Sequence, residues 1–296
     1  MARPWLALLL LGQLVGVAGC NCGPGPVPAP ANPQARTVPA SRQASQPPAS
    51  LGLLTYNVLA DPDPTDARTS ALLKILGHSG ADVLALQEVA PWFLTRLMAE
   101  PWVKGYRATT FDGQVSAPGG QMVLSRLPIA RSGVRLLPGP QRRTVVLAVI
   151  ELGGGRQVAV ATAHMESYLD DGPIRARQLD QIFALVAPFD AAVVLGDLNF
   201  GDGEQPESAR LDRRYTDLWL ALRPGDPGHT WDIERSIMAR RGSFKEEQSR
   251  RLDRILVRVA GYRPQAVRII GRQPVKPGGE VFPSDHFGLI GTIARR

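Results

Sequence analysis

From about residue 51 onward the chain is a succession of short apolar runs separated by polar and glycine-rich breaks. "LGLLTYNVLA", "DVLALQEV", "QMVLSRLPI", "TVVLAVIEL", "RQVAVATAHME", "AAVVLGDLN", "RLDRILVRV" and "FGLIGTIA" each have strand length and a β-branched or aliphatic content. "ELGGGRQV", between two of them, reads as a hairpin turn. Two segments carry a helical pattern instead. "TDARTSALLKILGHSG" sets Leu72, Leu73, Ile75 and Leu76 behind polar starters, with Gly77 as the expected stop. "DGPIRARQLDQIFALVAP" places Pro173 near its first turn and Ile174, Leu179, Ile182, Phe183 and Val186 along one side. Many strands and few helices, without strict alternation, argue against a simple doubly wound sheet and for a sheet-on-sheet core with outer helices. No fixed-period repeat is visible.

The pattern is different before residue 51. Arg3 opens a short basic region, and "WLALLLLGQLVGVAG" follows, apolar but short for a bilayer span. Val17-Ala18-Gly19-Cys20 resembles a bacterial lipobox, which implies cleavage of a signal peptide, residues 1–19, and lipid attachment to Cys20. The alternative is an ordinary secretory signal. Both make the protein an exported one, and the lipobox reading anchors it to the bacterial cell envelope. Residues 20–50, rich in Pro, Ala, Ser and Gln, lack the apolar content to offset ordering entropy and read as a disordered tether. Such a tether would reach on the order of 50–90 Å. Residues 51–296 form the expected folded domain.

Composition narrows the chemistry. The only cysteines are Cys20 and Cys22, so the folded domain has no disulfide, no thiolate metal site and no cysteine nucleophile. A net charge of +7 favours polyanionic partners, although Arg142, Arg143, Arg213, Arg214, Arg240, Arg241, Arg250 and Arg251 are scattered enough for a solvated basic face. There is no P-loop, hence no nucleotide cofactor is expected. "GHSGA" misses the nucleophile-elbow pattern because Ala81 stands where the last Gly belongs.

Polar residues at the ends of the apolar runs point elsewhere. Asn57 sits in the first; Gln87 and Glu88 close the second; His164, Glu166 and Ser167 follow another. "VVLGDLN" stops in Asp197 and Asn199, two residues apart and therefore on one side if the strand stays extended. Asp253 opens a further strand, and Asp285 and His286 precede the last. Unpaired buried charge is costly, so such groups are expected to converge. Carboxylates, amides and imidazoles together suit a hard cation and a phosphoryl group.

In order and identity, "LQEV", "AHMES", "GDLN", "RLDRILV" and "FPSDHFG" resemble the endonuclease/exonuclease/phosphatase superfamily across essentially all of residues 51–296. Together with "RARQLDQI" and "GHTWD", they are most similar to its tyrosyl-DNA phosphodiesterase 2 branch. The resemblance implies an α/β (α+β) fold: a four-layer α/β/β/α sandwich of two packed mixed β-sheets flanked by helices. It also implies Mg2+ (or Mn2+) held by Glu88 with help from Asn57, and Asp197 deprotonating or orienting the attacking water with Asn199. The residues alone also allow a surface carboxylate at Glu88, a satisfied core amide at Asn57 and a structural turn in which Asp197 caps its neighbours. His286 and His164 would then bind phosphate, with Asp253 or Asp285 fixing His286. Ser167 is expected either to assist or to cap local backbone, and Trp231 to stack on substrate or to fill the core. Arg177 and Gln178 align with a structural helix position, Asp217 is expected to anchor a loop, and His229 is a loop residue.

The leading function on this reading is hydrolysis of phosphodiester bonds in nucleic acid by an exported monomer. The basic charge and "DIERSIMARRGSFKEEQSR", between Trp231 and the Asp253 strand, favour a nucleic-acid strand lying across the site. A sphingomyelinase-like phospholipid phosphodiesterase and a non-catalytic tethered binding module are the alternatives. The relevant branch works on tyrosine–DNA adducts inside cells, which conflicts with export, so the chemistry carries over and the physiological substrate does not.

Overall fold

The computed structural model describes residues 46–62, 66–109 and 119–296; the signal, Cys20 and most of the tether lie outside them. In chain order the elements are β1 (Ser50–Asn57), α1 (Ala67–His78), β2 (Val83–Val89), α2 (Pro91–Ala99), β3 (Arg107–Ala108), β4 (Gly120–Ser125), β5 (Ile129–Leu136), β6 (Thr144–Gly153) and β7 (Arg156–His164). Then follow α3 (Gly172–Val186), β8 (Ala192–Asp197), β9 (Thr216–Asp217), α4 (Leu218–Leu222), α5 (Ile237–Gly242), β10 (Asp253–Arg258), β11 (Tyr262–Ile270) and β12 (Gly288–Arg295).

The apolar runs are continuous because most central strands are covered on both faces. Along β1, Leu51 and Leu53 point into one core, whereas Leu54 and Tyr56 point into another. The same alternation divides Val193 and Leu195 of β8 from Ala192 and Val194. Two six-stranded mixed sheets result, ordered β11-β12-β1-β2-β4-β3 and β5-β6-β7-β8-β10-β9. The inner core lies between them, with Leu53, Val83 and Val123 meeting Val146, Val160 and Ile255. Leu72, Leu73 and Leu76 of α1 and Phe93 and Leu97 of α2 cover the first sheet from outside. Leu179, Ile182, Phe183 and Val186 of α3 cover the second. This is the expected four-layer α/β/β/α sandwich. Each fully buried side chain of this size contributes roughly 1.5–3 kcal/mol.

Several local expectations differ from what is found. Gly77 lies inside α1, where a Cβ would stand 2.8 Å from the Trp102 indole; it is there for close approach. The helix stops one residue later, where Ser79 Oγ donates to the Leu76 carbonyl and Gly80 turns left-handed. Ser50, assigned by composition to the tether, pairs with Ala294. Strands β5 and β11 and helices α2, α4 and α5 were not read from the pattern. Both strands are sheet edges, and β5 is exposed along nearly its whole length, so no apolar alternation marks it.

Two parallel pairings position the chemistry. β1 runs parallel to β2, and β7 to β8, so Asn57 and Gln87 end side by side, as do His164 and Asp197. Antiparallel β10 begins where β8 ends, which sets Asp253 opposite Asp197.

Candidate active site

Each sheet delivers its polar strand ends to the same place. Asn57 closes β1 and is fully buried; its Nδ2 donates to Glu88 Oε1 and to Asp197 Oδ2, both at 3.0 Å. One amide therefore joins the carboxylate of the first sheet to that of the second. Its Oδ1 accepts from the Leu59 N–H, so the amide turns nitrogen, not oxygen, toward Glu88. Asn57 is thus a satisfied core amide that spaces two carboxylates.

Glu88 leaves its strand through an irregularity. The β2–β4 register shifts between Leu86 and Val89, and Glu88 adopts φ 56°, a left-handed conformation rare for a side-chain-bearing residue. Gly119 is pressed against it: a Cβ there would lie 2.7 Å from the Glu88 carbonyl carbon. Ala60 N–H donates to Glu88 Oε2 at 3.0 Å. Burial pushes the Glu88 carboxyl up, and the charge of Asp285 adds to it.

Asn199 is left-handed too, at φ 56°, a conformation Asn tolerates better than Glu. The extended geometry ends at Asp197, so the same-side argument for the pair fails. A tight turn brings them together instead: Asn199 N–H donates to Asp197 Oδ1, and its Nδ2 donates to the Met165 carbonyl. Asp197 is therefore both a local turn acceptor and a site carboxylate. Its Oδ2 faces Asn57 Nδ2, His164 Nε2 at 3.4 Å and His286 Nε2 at 3.5 Å. Burial raises the Asp197 carboxyl, but the two histidines and Asn57 outweigh it and hold it below the ordinary range.

The two histidines are driven apart. Arg143 Nη1 donates to His164 Nδ1 at 2.9 Å, which leaves the proton of the neutral ring on Nε2, toward Asp197. Burial and the Arg143 charge hold His164 well below its usual value. His286 Nδ1 instead donates to Asp253 Oδ2 at 2.9 Å. Burial pulls His286 down, but Asp197 and Asp253 outweigh it and raise it well above its usual value. Burial lifts Asp253 itself to about 6. Asp285 Oδ1 accepts from the His286 backbone N–H, and Ser284 Oγ donates its one proton to the Asn57 carbonyl at 2.7 Å. Asp253, not Asp285, is thus the partner of the imidazole.

These groups open on a cavity of about 440 Å³ whose lining includes Glu88, His164, Asp197, Asn199, Asp285 and His286. Ser167 and Trp231 line it too. Ser167 is bonded to Gln141, with Oγ accepting from Nε2 at 2.9 Å. Trp231 packs a tilted ring on His286, centroids 4.9 Å apart, and is 7% exposed: it shapes the pocket from within the core. His229 does not line the cavity. Arg143 and Arg250 do; Arg143 stands in the sequence only among scattered arginines, whereas Arg250 closes the segment expected to meet nucleic acid. On the helix, the buried arginine is Arg175, not Arg177: it pairs with Glu207 at 2.7 Å and donates to the carbonyls of Glu166, Tyr168 and Leu169. Asp217 caps α4 and pairs with buried Arg251 and Arg254.

The donor set fits a hard divalent cation at Glu88. A carboxylate raised by burial and by a neighbouring carboxylate is relieved by positive charge, and Mg2+ needs few protein oxygens. Asp197, Asp253 and His286 also cluster, with one ligand atom of each within 4.8 Å of the others. Asp253 Oδ2 and His286 Nδ1 are, however, already committed to each other, and a protonated imidazole cannot ligate. That triad is a hydrogen-bonded dyad beside a carboxylate.

Two mixed sheets joined at a seam of carboxylates, an amide and oppositely tuned histidines define a phosphoester-hydrolase centre. Residues 54–286 match the Endonuclease/Exonuclease/phosphatase family, and the chain belongs to it. It is a hydrolase acting on phosphodiester bonds. Among solved structures the fold is similar to D. rerio TDP2 complexed with single-strand DNA product (22% identity, TM-score 0.71, covering 83% of this chain and 99% of that one). It is also similar to TDP2 from C. elegans (20%, TM-score 0.65, 83% and 75%) and to the human Nocturnin catalytic domain with bound sulfate anion (19%, TM-score 0.62, 84% and 95%). No curated protein sequence matches the chain.

Proposed function

We propose that the protein is a metal-dependent phosphodiesterase acting on nucleic acid, a nuclease or a 5′-end-processing enzyme. The observation that carries this reading is the meeting of Glu88, Asp197, His164 and His286 around one cavity that Arg143 and Arg250 also line. The DNA product in the D. rerio TDP2 crystal and the sulfate on human Nocturnin are in keeping with it. Glu88 would hold Mg2+ or Mn2+, which supplies Lewis-acid polarisation of a phosphate oxygen.

The remaining roles follow from the tuned groups. Asp197, held low and surrounded by three donors, is a weak base; it orients the attacking water in line more than it keeps the proton. Asn199, locked to the Met165 carbonyl, fixes the turn that aims Asp197. Protonated His286, steadied by Asp253, donates through Nε2 to the phosphoryl oxygens as negative charge grows. Neutral His164 supplies a second Nε2 donor, its tautomer enforced by Arg143. Asn57 keeps the water-orienting and cation-holding carboxylates at fixed separation.

Export and anchorage through Cys20 belong to the same reading and rest on the lipobox-like sequence. No helix of the described residues is long and apolar enough to cross a membrane. Labelling with a radioactive fatty acid, lost in Cys20→Ala, tests the anchor. The activity is tested by incubating the protein with an oligonucleotide, a plasmid and a choline phospholipid, each with Mg2+ or chelator. Cleavage of nucleic acid that chelator stops, and that Asp197→Asn reduces by at least about a hundredfold, is expected. Chelator-insensitive turnover, or hydrolysis of the phospholipid alone, overturns the proposal.

A further inference from the structure

Tyr168 and Phe244 are 49% and 41% exposed, the two aromatic rings among the described residues that stand well out into solvent. They come from loops far apart in sequence, one after β7 and one after α5, yet they touch edge to face with centroids 5.8 Å apart. Phe244 lines the catalytic cavity, and Tyr168 directly follows Ser167, which lines it too. Leu169, 45% exposed, continues the apolar surface. Leaving such side chains outside the core forgoes burial free energy, and an edge-on pair leaves a ring face free.

Both rings are held from below. The Tyr168 N–H donates to Asp171 Oδ2, and its carbonyl accepts from Arg175 Nη1 at 2.6 Å. The Phe244 N–H donates to Glu247 Oε2, while Glu247 is itself paired with Arg250. Fixed backbones beneath exposed rings describe a preorganised surface. Arg143, bonded to His164, and Arg250, paired with Glu204 and Glu247, line the adjoining cavity, so cationic side chains lie next to an aromatic face.

We propose that Tyr168 and Phe244 form a stacking platform for an unpaired nucleobase adjoining the phosphodiester in the cavity. The inference rests on the nucleic-acid reading above and names its specificity element. Stacking of this kind tolerates any base sequence, because every base has a π face. It also selects for single strands, since the bases of a duplex are already stacked on one another.

The test compares oligothymidylate with an oligomer of the same phosphate count built from abasic units. The wild type is expected to favour oligothymidylate in kcat/KM by on the order of ten- to a hundredfold. Tyr168→Ala and Phe244→Ala should erase that preference by lowering kcat/KM for oligothymidylate toward that for the abasic oligomer. Equal wild-type turnover of both oligomers refutes the platform and leaves the nucleic-acid phosphodiesterase reading standing. If neither oligomer is cleaved with Mg2+ or Mn2+, that broader reading fails. The platform is then decided by binding in chelator: quenching of the added indole in Phe244→Trp by oligothymidylate but not by the abasic oligomer supports it, and equal or absent quenching overturns it.

Discussion

Replacing Asp253 by Asn keeps the shape of the dyad and removes its charge. Asp253 is fully buried, and its Oδ2 sits 2.9 Å from His286 Nδ1, so solvent screens little of the interaction. A hydrogen bond to a charged group is worth about 1.5–3 kcal/mol and a neutral one about 0.5–1.5, so the exchange removes about 1–1.5 kcal/mol from the protonated ring. At 1.36 kcal/mol per pH unit, the midpoint for losing the His286 proton falls by about one pH unit. Asp197 at 3.5 Å still favours the charged ring, so the midpoint does not collapse further. The assay is the pH dependence of kcat/KM for an oligonucleotide, followed through its alkaline limb. That limb should shift to lower pH by about one unit, with roughly tenfold lower activity on the wild-type limb and little change on its acid side. The metal concentration for half-activity should stay the same, because Asp253 is committed to the imidazole. A uniform loss at every pH with the limb unmoved would refute the electrostatic role, and a raised metal requirement would make Asp253 a ligand.

Other outcomes follow from the same geometry. Gly119→Ala drives a methyl group into the Glu88 backbone and should cost about 1–3 kcal/mol, read as a lower Tm, together with a higher Mg2+ requirement; wild-type metal dependence would separate the strained bulge from the cation. Arg175→Ala strands buried Glu207 and releases three carbonyls, a loss of about 3–5 kcal/mol. A Tm drop of at least about 6 °C is expected by thermal denaturation, and an unchanged Tm would contradict it. His164 is held neutral in the fold but protonates in the unfolded chain below its usual value, so it withdraws stability as pH falls through 6.5. His286 acts oppositely, adding stability below 6.5 that is lost as pH rises through its raised folded value. His164→Gln should therefore flatten acid destabilisation by up to about 1.4 kcal/mol per pH unit, measured by denaturant titration.

The central strands were legible because burial on both faces leaves uninterrupted apolar runs, and the site was legible because polar groups interrupt those runs at their ends. Arg143 was not, since nothing local distinguishes it from Arg142. Only the pairing of β6 with β7, in which Val145 lies opposite Ala163, brings it to His164. The spacing alone distinguishes Arg175 from Arg177: with Leu179, Ile182 and Val186, Arg175 keeps helical spacing on the buried side, whereas Arg177, aligned with the structural position, is off that side. The turn at Asn199 had a cue, since Asp and Asn favour such turns and Asn tolerates left-handed backbone, whereas the left-handed Glu88 at its bulge had none.

The first sheet is sewn from both extremities of the folded domain: β12 inserts between β11 and β1, and His286 immediately precedes it. His286 therefore comes late in the chain, and until β12 forms β1 is paired on one side only, with β2. A chain cut before residue 286 thus lacks both the strand that covers the outer edge of β1 and the imidazole that faces Asp197.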